Sequence, residues 1–406
     1  ANQNSFGHLQ RWLKHPDYIH LAESPTGYMT PWGEQRNRPF SLNPLLPDSL
    51  EFLSGLYDEL LPNFSSPLFN VGCDETFDLG QGASRETCEK VGKGRVYLNF
   101  LQQIKRLVDQ RGKTMLFWGD IVLNHPELIP ELDKNMVAII WGYETDHPFA
   151  EQCRKFAESG LPFWVCPGTS TWNSITGRLE NALSNINTAA TAGAQSGASG
   201  FMITEWGDNG HWQTMPFSEL ALAAGAHAAW CGKSPDRIQL GLLFPFADIA
   251  IALADIYQDS GFTVINNSPI FPLIRFVDPS ATLNQWTVDK LDAALKHIEQ
   301  VTARLPTLER VEPSSKLYVE EIALGASMLK HAIKRGRWLK DGKPSGTAPA
   351  LAADMNMILS ELKRLWLIRN REGGLSESLE PLEMRVREYG DEEQRSTFNI
   401  QHPTSN

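Results

Sequence analysis

Residues 67–75 read Pro67-Leu68-Phe69-Asn70-Val71-Gly72-Cys73-Asp74-Glu75. A short apolar run ends in a glycine and then in two adjacent acids. The run Pro67–Gly72 does not alternate apolar with polar, the pattern of a strand buried on both faces of a parallel sheet. Four more runs of this kind follow, at Lys113–Trp118, Met136–Trp141, Leu161–Cys166 and Gly200–Thr204. Helical stretches near 94–111, 148–159, 176–193 and 217–230 separate them. Arg95 to Gln110 carries an apolar stripe of Val96, Leu98, Phe100, Leu101, Ile104, Leu107 and Val108, and Gly112 stops it.

Strand and helix in alternation mean a parallel sheet, either open or closed into a barrel. The strand ends decide between the two. After the first comes Asp74-Glu75, after the second Trp118-Gly119-Asp120, and after the third Trp141-Gly142-Tyr143-Glu144. The fourth runs into Trp172-Asn173 and the fifth into Glu205-Trp206-Gly207-Asp208. An open sheet gathers ligand residues at one switch point, whereas a barrel surrounds one pocket with all its strand ends. The expected fold is therefore α/β, a (β/α)8 barrel whose last five strands are visible. Residues 1–8 read as the loop after an earlier strand, and 48–61 as the helix leading into Pro67–Gly72, with a capping serine and aspartate. The first strands are expected from a missing N-terminal segment or from a partner chain, since an open sheet edge is a liability. The start Ala1-Asn2-Gln3-Asn4 shows no methionine, basic region or apolar signal region. Residues 1–234 form the barrel portion. Residues 235–406 read as a helical domain, with segments at 248–258, 285–303, 315–339, 348–370 and 376–389 and a loose polar tail, Asn399–Asn406.

The chain has 406 residues and a net charge of −11. A length of this order suits a barrel with an accessory domain. An acidic chain is a poor partner for nucleic acid. No apolar run is long enough to span a membrane, and the compartment stays open between cytoplasm and export. The five cysteines lack CxxC spacing, so neither a disulfide framework nor a zinc site is expected. Cys73, Cys166 and Cys231 read as small core residues. His8, His15 and His20 fit no metal-ligand spacing, and neither metal nor cofactor is expected.

Two adjacent acids after a buried strand repel each other, and desolvation disfavours their charged form, so one is expected to hold a proton. A protonated carboxyl beside an ionised one suits cleavage of a glycosidic bond. An Asp-Glu pair alone is equally a solvated turn, and a lone tryptophan is usually core. Four of the 12 tryptophans, however, stand at successive strand ends: Trp118, Trp141, Trp172 and Trp206. Sugar rings pack apolar C–H faces on aromatic rings while polar groups bind their hydroxyls. Asp120, Tyr143, Glu144, Asn173, Glu205, Asp208 and Asn209 would supply those groups, and His8, in Phe6-Gly7-His8 after an expected strand end, would face the same pocket.

The strand and turn Phe69-Asn70-Val71-Gly72-Cys73-Asp74-Glu75 resembles the H-x-G-G-D-E signature of glycoside hydrolase family 20, the β-N-acetylhexosaminidases. The later strand ends, including Gly200 to Trp206, are similar as well, over roughly residues 1–230. The resemblance implies an exo-acting enzyme that releases terminal β-linked N-acetylhexosamine from a carbohydrate by a retaining, substrate-assisted mechanism. Glu75 would be the general acid/base, and Asp74 would orient the acetamido group. Trp118, Trp141 and Trp206 would wall the sugar, and Glu205 or Asp208 would bind its outer hydroxyls. The chain departs from the family at Asn70, where His is usual, and at Cys73, where the second glycine is usual. Trp172-Asn173 stands where the family has its acetamido-binding tyrosine, with Tyr143 one strand earlier as a substitute. The family's sugar-binding arginine belongs to the first strand. Two alternatives stay open: a retaining glycosidase with a carboxylate nucleophile such as Glu205, and a non-catalytic sugar-binding barrel.

Overall fold

The structure is a computed structural model. It describes residues 1–401, with 391–401 as helix backbone only, so the end of the expected polar tail lies outside the described residues. The chain divides into two compact units. The first holds Ala1–Gly142, Pro148–Cys166 and Ala189–Met202; the second holds Tyr143–His147, Pro167–Thr188 and Ile203–Asn406.

The first unit is built on a five-stranded parallel sheet in sequential order. Its strands are β1 (Leu68–Asn70), β2 (Thr114–Trp118), β3 (Val137–Trp141), β4 (Phe163–Cys166) and β5 (Gly200–Phe201). Phe69 pairs with Met115, Phe117 with Ala138, and Ile140 with Val165. Asn2 forms a parallel bridge to Asn70, so the N-terminal residues lie alongside β1. Helices α1 (Pro47–Leu60), α2 (Lys93–Asp109) and α3 (Phe149–Ser159) also belong to this unit. Parallel strands in sequence order joined by helices form one arc of a β/α barrel, as expected.

The non-alternating strands are explained by burial. Phe69, Val71, Met115, Phe117, Ala138, Ile140 and Val165 are all at most 2% exposed. Each of these side chains larger than alanine contributes about 1.5–3 kcal/mol on burial. On α2 the core face carries Val96, Leu98, Phe100, Leu101, Ile104 and Val108, with Leu107 partly buried against the cluster. Helix α1 buries Ser49, Leu53 and Tyr57, spaced at four residues. The expected capping by serine and aspartate is not found. The helix starts on Pro47 with Leu46 as N-cap, and the Ser49 hydroxyl donates backward to the Asn43 carbonyl at 2.8 Å. Proline at the first helical position carries no N–H that needs a cap.

The second unit is helical apart from its loops. Its main helices are Met215–Cys231, Ala247–Ala254, Val288–Thr302, Lys316–Lys340, Ala348–Arg369 and Leu375–Gln401. The last continues through 399–401, the start of the stretch expected to be loose. Buried charge pins these helices: Glu321 pairs with Arg369 at 2.7 Å while only 2% of its side chain is exposed. Cys231 is exposed at the end of its helix, against the expectation of a core residue, while Cys73 and Cys166 are buried. Met215–Cys231 is apolar along most of its length, so periodicity does not single out its outer face. Among the described residues no helix is long and apolar enough to cross a membrane.

Candidate active site

In the first unit the ladder carries on past β1, with Val71 N–H donating to the Leu116 carbonyl at 2.9 Å and Trp118 N–H to that of Gly72 at 3.0 Å. Asn70 uses its side-chain oxygen to accept from Gly72 N–H at 2.9 Å, so this departure from the family signature supports the turn. Gly72 has φ +70, and a Cβ there would stand 2.7 Å from the Asn4 side-chain oxygen. Cys73 at φ +71 and Glu75 at φ +51 are also left-handed. The second signature glycine is therefore replaced by a residue held where glycine is favoured, at a cost of roughly 1–2 kcal/mol. Tyr97 helps to hold this backbone, its hydroxyl donating to the Cys73 carbonyl at 2.9 Å.

His8 sits against both acids. A Cβ on Gly7 would lie 2.6 Å from the Asp74 carbonyl, and this close approach delivers the imidazole. His8 Nε2 lies 3.2 Å from Asp74 Oδ2 and 3.4 Å from Glu75 Oε2. Burial works against charge on the ring, but the two carboxylates beside it outweigh burial and raise its pKa to about 10. The mutual repulsion expected of the acid pair is thus met by a cation. Ligand atoms of His8, Asp74 and Glu75 all fall within 4.8 Å of one another, a set that in geometry could hold a metal ion.

Asp120 lies just past β2. Its Oδ2 accepts from Glu75 N–H at 3.2 Å and its Oδ1 from the Trp141 indole at 3.3 Å. Burial, then the charge of Asp74, lifts its pKa to about 7. In this cluster the Asp120 carboxyl is raised, and His8 carries a positive charge beside Asp74 and Glu75. Trp118 is buried at 3% exposure. Sequence reading missed Glu23 and Asp78, both fully buried. Glu23 Oε1 takes Gly80 N–H at 3.2 Å, Gly82 N–H at 3.1 Å and the Ser84 hydroxyl at 2.7 Å. Asp78 Oδ2 accepts from Ser41 N–H at 2.9 Å. These two acids anchor the loop that follows Glu75, and burial raises both of their pKa values. Nothing in their local sequence marks them, because their partners come from distant loops.

The second unit holds the other expected residues. The Trp206 indole donates to the Tyr143 hydroxyl at 3.0 Å, and the Tyr143 ring meets Trp172 edge-on at 4.9 Å. Trp172 is buried at 1% exposure, and its indole donates to the Asn266 side-chain oxygen at 2.9 Å. Asn173 donates to the Asn266 carbonyl at 3.1 Å and accepts from Asn209 at 2.9 Å. Asn266 N–H in turn donates to Glu144 at 2.7 Å, and Glu144 is held by Arg178 through bonds of 2.9 and 3.0 Å. Asn173, Asn209 and Asn266 all have positive φ, which asparagine tolerates better than most residues. Glu205 Oε1 accepts from Thr171 at 3.1 Å and from Ser218. A cavity of about 50 Å³ opens between Glu205, His211, Gln213, Trp366 and Arg369. Asp208 is exposed. Asn266 and Arg178 were not anticipated; no motif announces them.

Residues 4–230 match the family model for the glycosyl hydrolase family 20 catalytic domain. The chain is similar to Hexosaminidase D of Homo sapiens, with 25% identity over 237 residues, covering 52% of this chain and 45% of that protein. Hexosaminidase D of Bos taurus is 25% identical over 234 residues, covering 52% of this chain and 63% of that protein. The chain thus spans less than two thirds of the length of either relative. Among solved structures, it is similar to a Flavobacterium johnsoniae chitobiase with TM-score 0.42 and 14% identity, covering 95% of this chain and 65% of that one. A β-N-acetylhexosaminidase from Bacteroides fragilis gives TM-score 0.42 and 15% identity, covering 59% and 49%.

Proposed function

The chain belongs to glycosyl hydrolase family 20, whose catalytic-domain model spans residues 4–230, and from that premise we propose that it releases terminal β-linked N-acetylhexosamine from a carbohydrate. The observation that carries the proposal is the His8–Asp74–Glu75 cluster at the end of β1, with contacts of 3.2 and 3.4 Å. In this reading the acetamido oxygen of the substrate attacks the anomeric carbon as the glycosidic C–O bond breaks. Glu75 gives its proton to the leaving oxygen. Asp74 accepts a hydrogen bond from the acetamido N–H and offsets the positive charge of the oxazolinium ion. Glu75, now a carboxylate, takes a proton from water, and the water oxygen opens the ring with net retention. His8 keeps a positive charge beside both acids, which suits a site where one must stay ionised.

Trp118 and Trp141, at the ends of the two strands that follow β1 in the first unit, are assigned to the wall around the sugar. Glu205 and Asp208 are assigned to outer hydroxyls. Glu205 Oε1 accepts from the Thr171 and Ser218 hydroxyls.

The test is hydrolysis of the 4-nitrophenyl β-glycosides of N-acetylglucosamine, N-acetylgalactosamine, glucose and galactose, by the wild type and by Glu75→Gln in the full-length protein. The expected result is cleavage of the N-acetyl sugars alone, with kcat reduced by about 10²–10⁴ in the variant. Cleavage of the glucoside or galactoside would point to a carboxylate nucleophile. A folded protein that cleaves none of the four would favour sugar binding without catalysis.

A further inference from the structure

We propose that Asp120 is the positioning residue of this site, one carboxylate oxygen holding the backbone of Glu75 and the other holding the indole of Trp141. Sequence reading placed Asp120 among the sugar contacts. The structure shows both of its oxygens engaged within the protein, by Glu75 N–H at 3.2 Å and Trp141 Nε1–H at 3.3 Å. The inference rests on the glycosidase reading for its consequence, and on these two contacts for its geometry.

Glu75 needs such a holder. It is left-handed at φ +51, two residues after Cys73 at φ +71. A backbone in this region persists only where its surroundings over-determine it. The Cys73 carbonyl is held by Tyr97 at 2.9 Å, and the Glu75 N–H by Asp120. Asp120 opens the short turn Asp120–Leu123 directly after β2. The sheet therefore carries its carboxylate to the neighbouring strand end, while Trp141 comes from β3 on the other side of β2. One side chain thus sets the spacing between the acid and an aromatic wall across three strand ends.

The carboxylate accepts strongly from both donors. An asparagine amide presents NH2 on one side and opposes either Glu75 N–H or the Trp141 indole, and a protonated carboxyl offers one of them only the weak acceptor of its hydroxyl oxygen. The pKa of Asp120 is lifted by burial and by Asp74 to about 7, so this change falls near neutrality. The groups facing it are Asp74, Glu75 and Cys73 in the strand-end turn, Tyr97 on α2 and the Trp141 indole on β3. Burial pushes Cys73 and Tyr97 well up, so both stay neutral. His8, at about 10, stays charged beside the two acids. Positioning is therefore complete above the Asp120 pKa and is lost as pH falls through it.

The experiment is an indole ¹⁵N–¹H NMR titration of the full-length protein between about pH 5 and 9, with the Trp141 resonance identified by Trp141→Phe. Kinetics of the wild type and of Asp120→Asn on a nitrophenyl N-acetylhexosaminide accompany it. In the wild type the Trp141 resonance is expected to titrate with a midpoint near 7, the value to which Asp120 is lifted. In Asp120→Asn that titration disappears, kcat falls about 100-fold, KM changes less than about threefold, and the acid limb of kcat near pH 7 is lost. A Trp141 resonance that ignores both pH and Asp120→Asn overturns the proposal. So does a variant whose kcat and pH profile match the wild type. The wild-type titration needs no variant, so a poorly folding Asp120→Asn leaves the proposal open to refutation. If the wild type cleaves no glycoside, the functional reading fails, while the titration still decides whether Asp120 holds this pair.

Discussion

Replacing His8 by glutamine removes the cation between Asp74 and Glu75 and should leave a pH signature in stability. In the folded chain the imidazole pKa stands at about 10 against an ordinary 6.5, with burial opposing and the two acids raising it. At about 1.4 kcal/mol per pH unit that gap corresponds to at most roughly 5 kcal/mol. The His8 side chain is 29% exposed, and solvent screening lowers the expectation to about 2–3 kcal/mol. A pKa raised by folding stabilises fully below the unfolded value, where both states carry the proton. As pH rises from 6.5 the unfolded chain releases the proton that the native chain keeps, and the advantage declines until it is gone near 10. Urea unfolding of wild type and His8→Gln at pH 6, 8 and 10 should therefore show a stability gap that shrinks by about 2–3 kcal/mol across the series. The His8 ring resonance should titrate well above 6.5. A gap that stays constant or widens with pH, or a ring that titrates near 6.5, would refute the ion cluster and with it the electrostatic account of the acid pair.

Gly72→Ala places a methyl at φ +70 and 2.7 Å from the Asn4 side chain; it is expected to cost roughly 1–3 kcal/mol, measured by urea unfolding, and a neutral result would mean the turn is not as tight as described. Thiol labelling of the native chain should modify Cys231, which is exposed, before Cys73, Cys88, Cys153 and Cys166, which are buried; equal rates for all would contradict the packing of the cores.

The arc of parallel strands was legible because burial on both faces leaves a one-dimensional mark. Runs such as Met115-Leu116-Phe117 contain no polar break, and the helices between them carry apolar stripes. The Asp74-Glu75 pair and the acid Asp120 were visible for a related reason: they stand where an apolar run ends. The segment expected at 248–258 was legible and matches Ala247–Ala254, whereas the short helices Arg237–Leu240, Phe271–Arg275 and Ser280–Leu283 were not, since each is too brief for a period to emerge. Cys231 misled because its helix is apolar along most of its length.

Sequence alone determined that strand ends rich in acids and tryptophans stand in a barrel-like order, and it placed the chain beside its family through six contiguous residues. Local composition suffices for that, because strand burial and turn chemistry act over a few neighbours. Tertiary structure decided how those groups behave. It brought His8 to within 3.2 Å of Asp74 across more than sixty positions of chain, tied Asp120 to Glu75 and Trp141, and anchored the following loop on Glu23. Hydrogen bonds and charge depend on distance in space and on exclusion of water, and neither is written in the order of the residues.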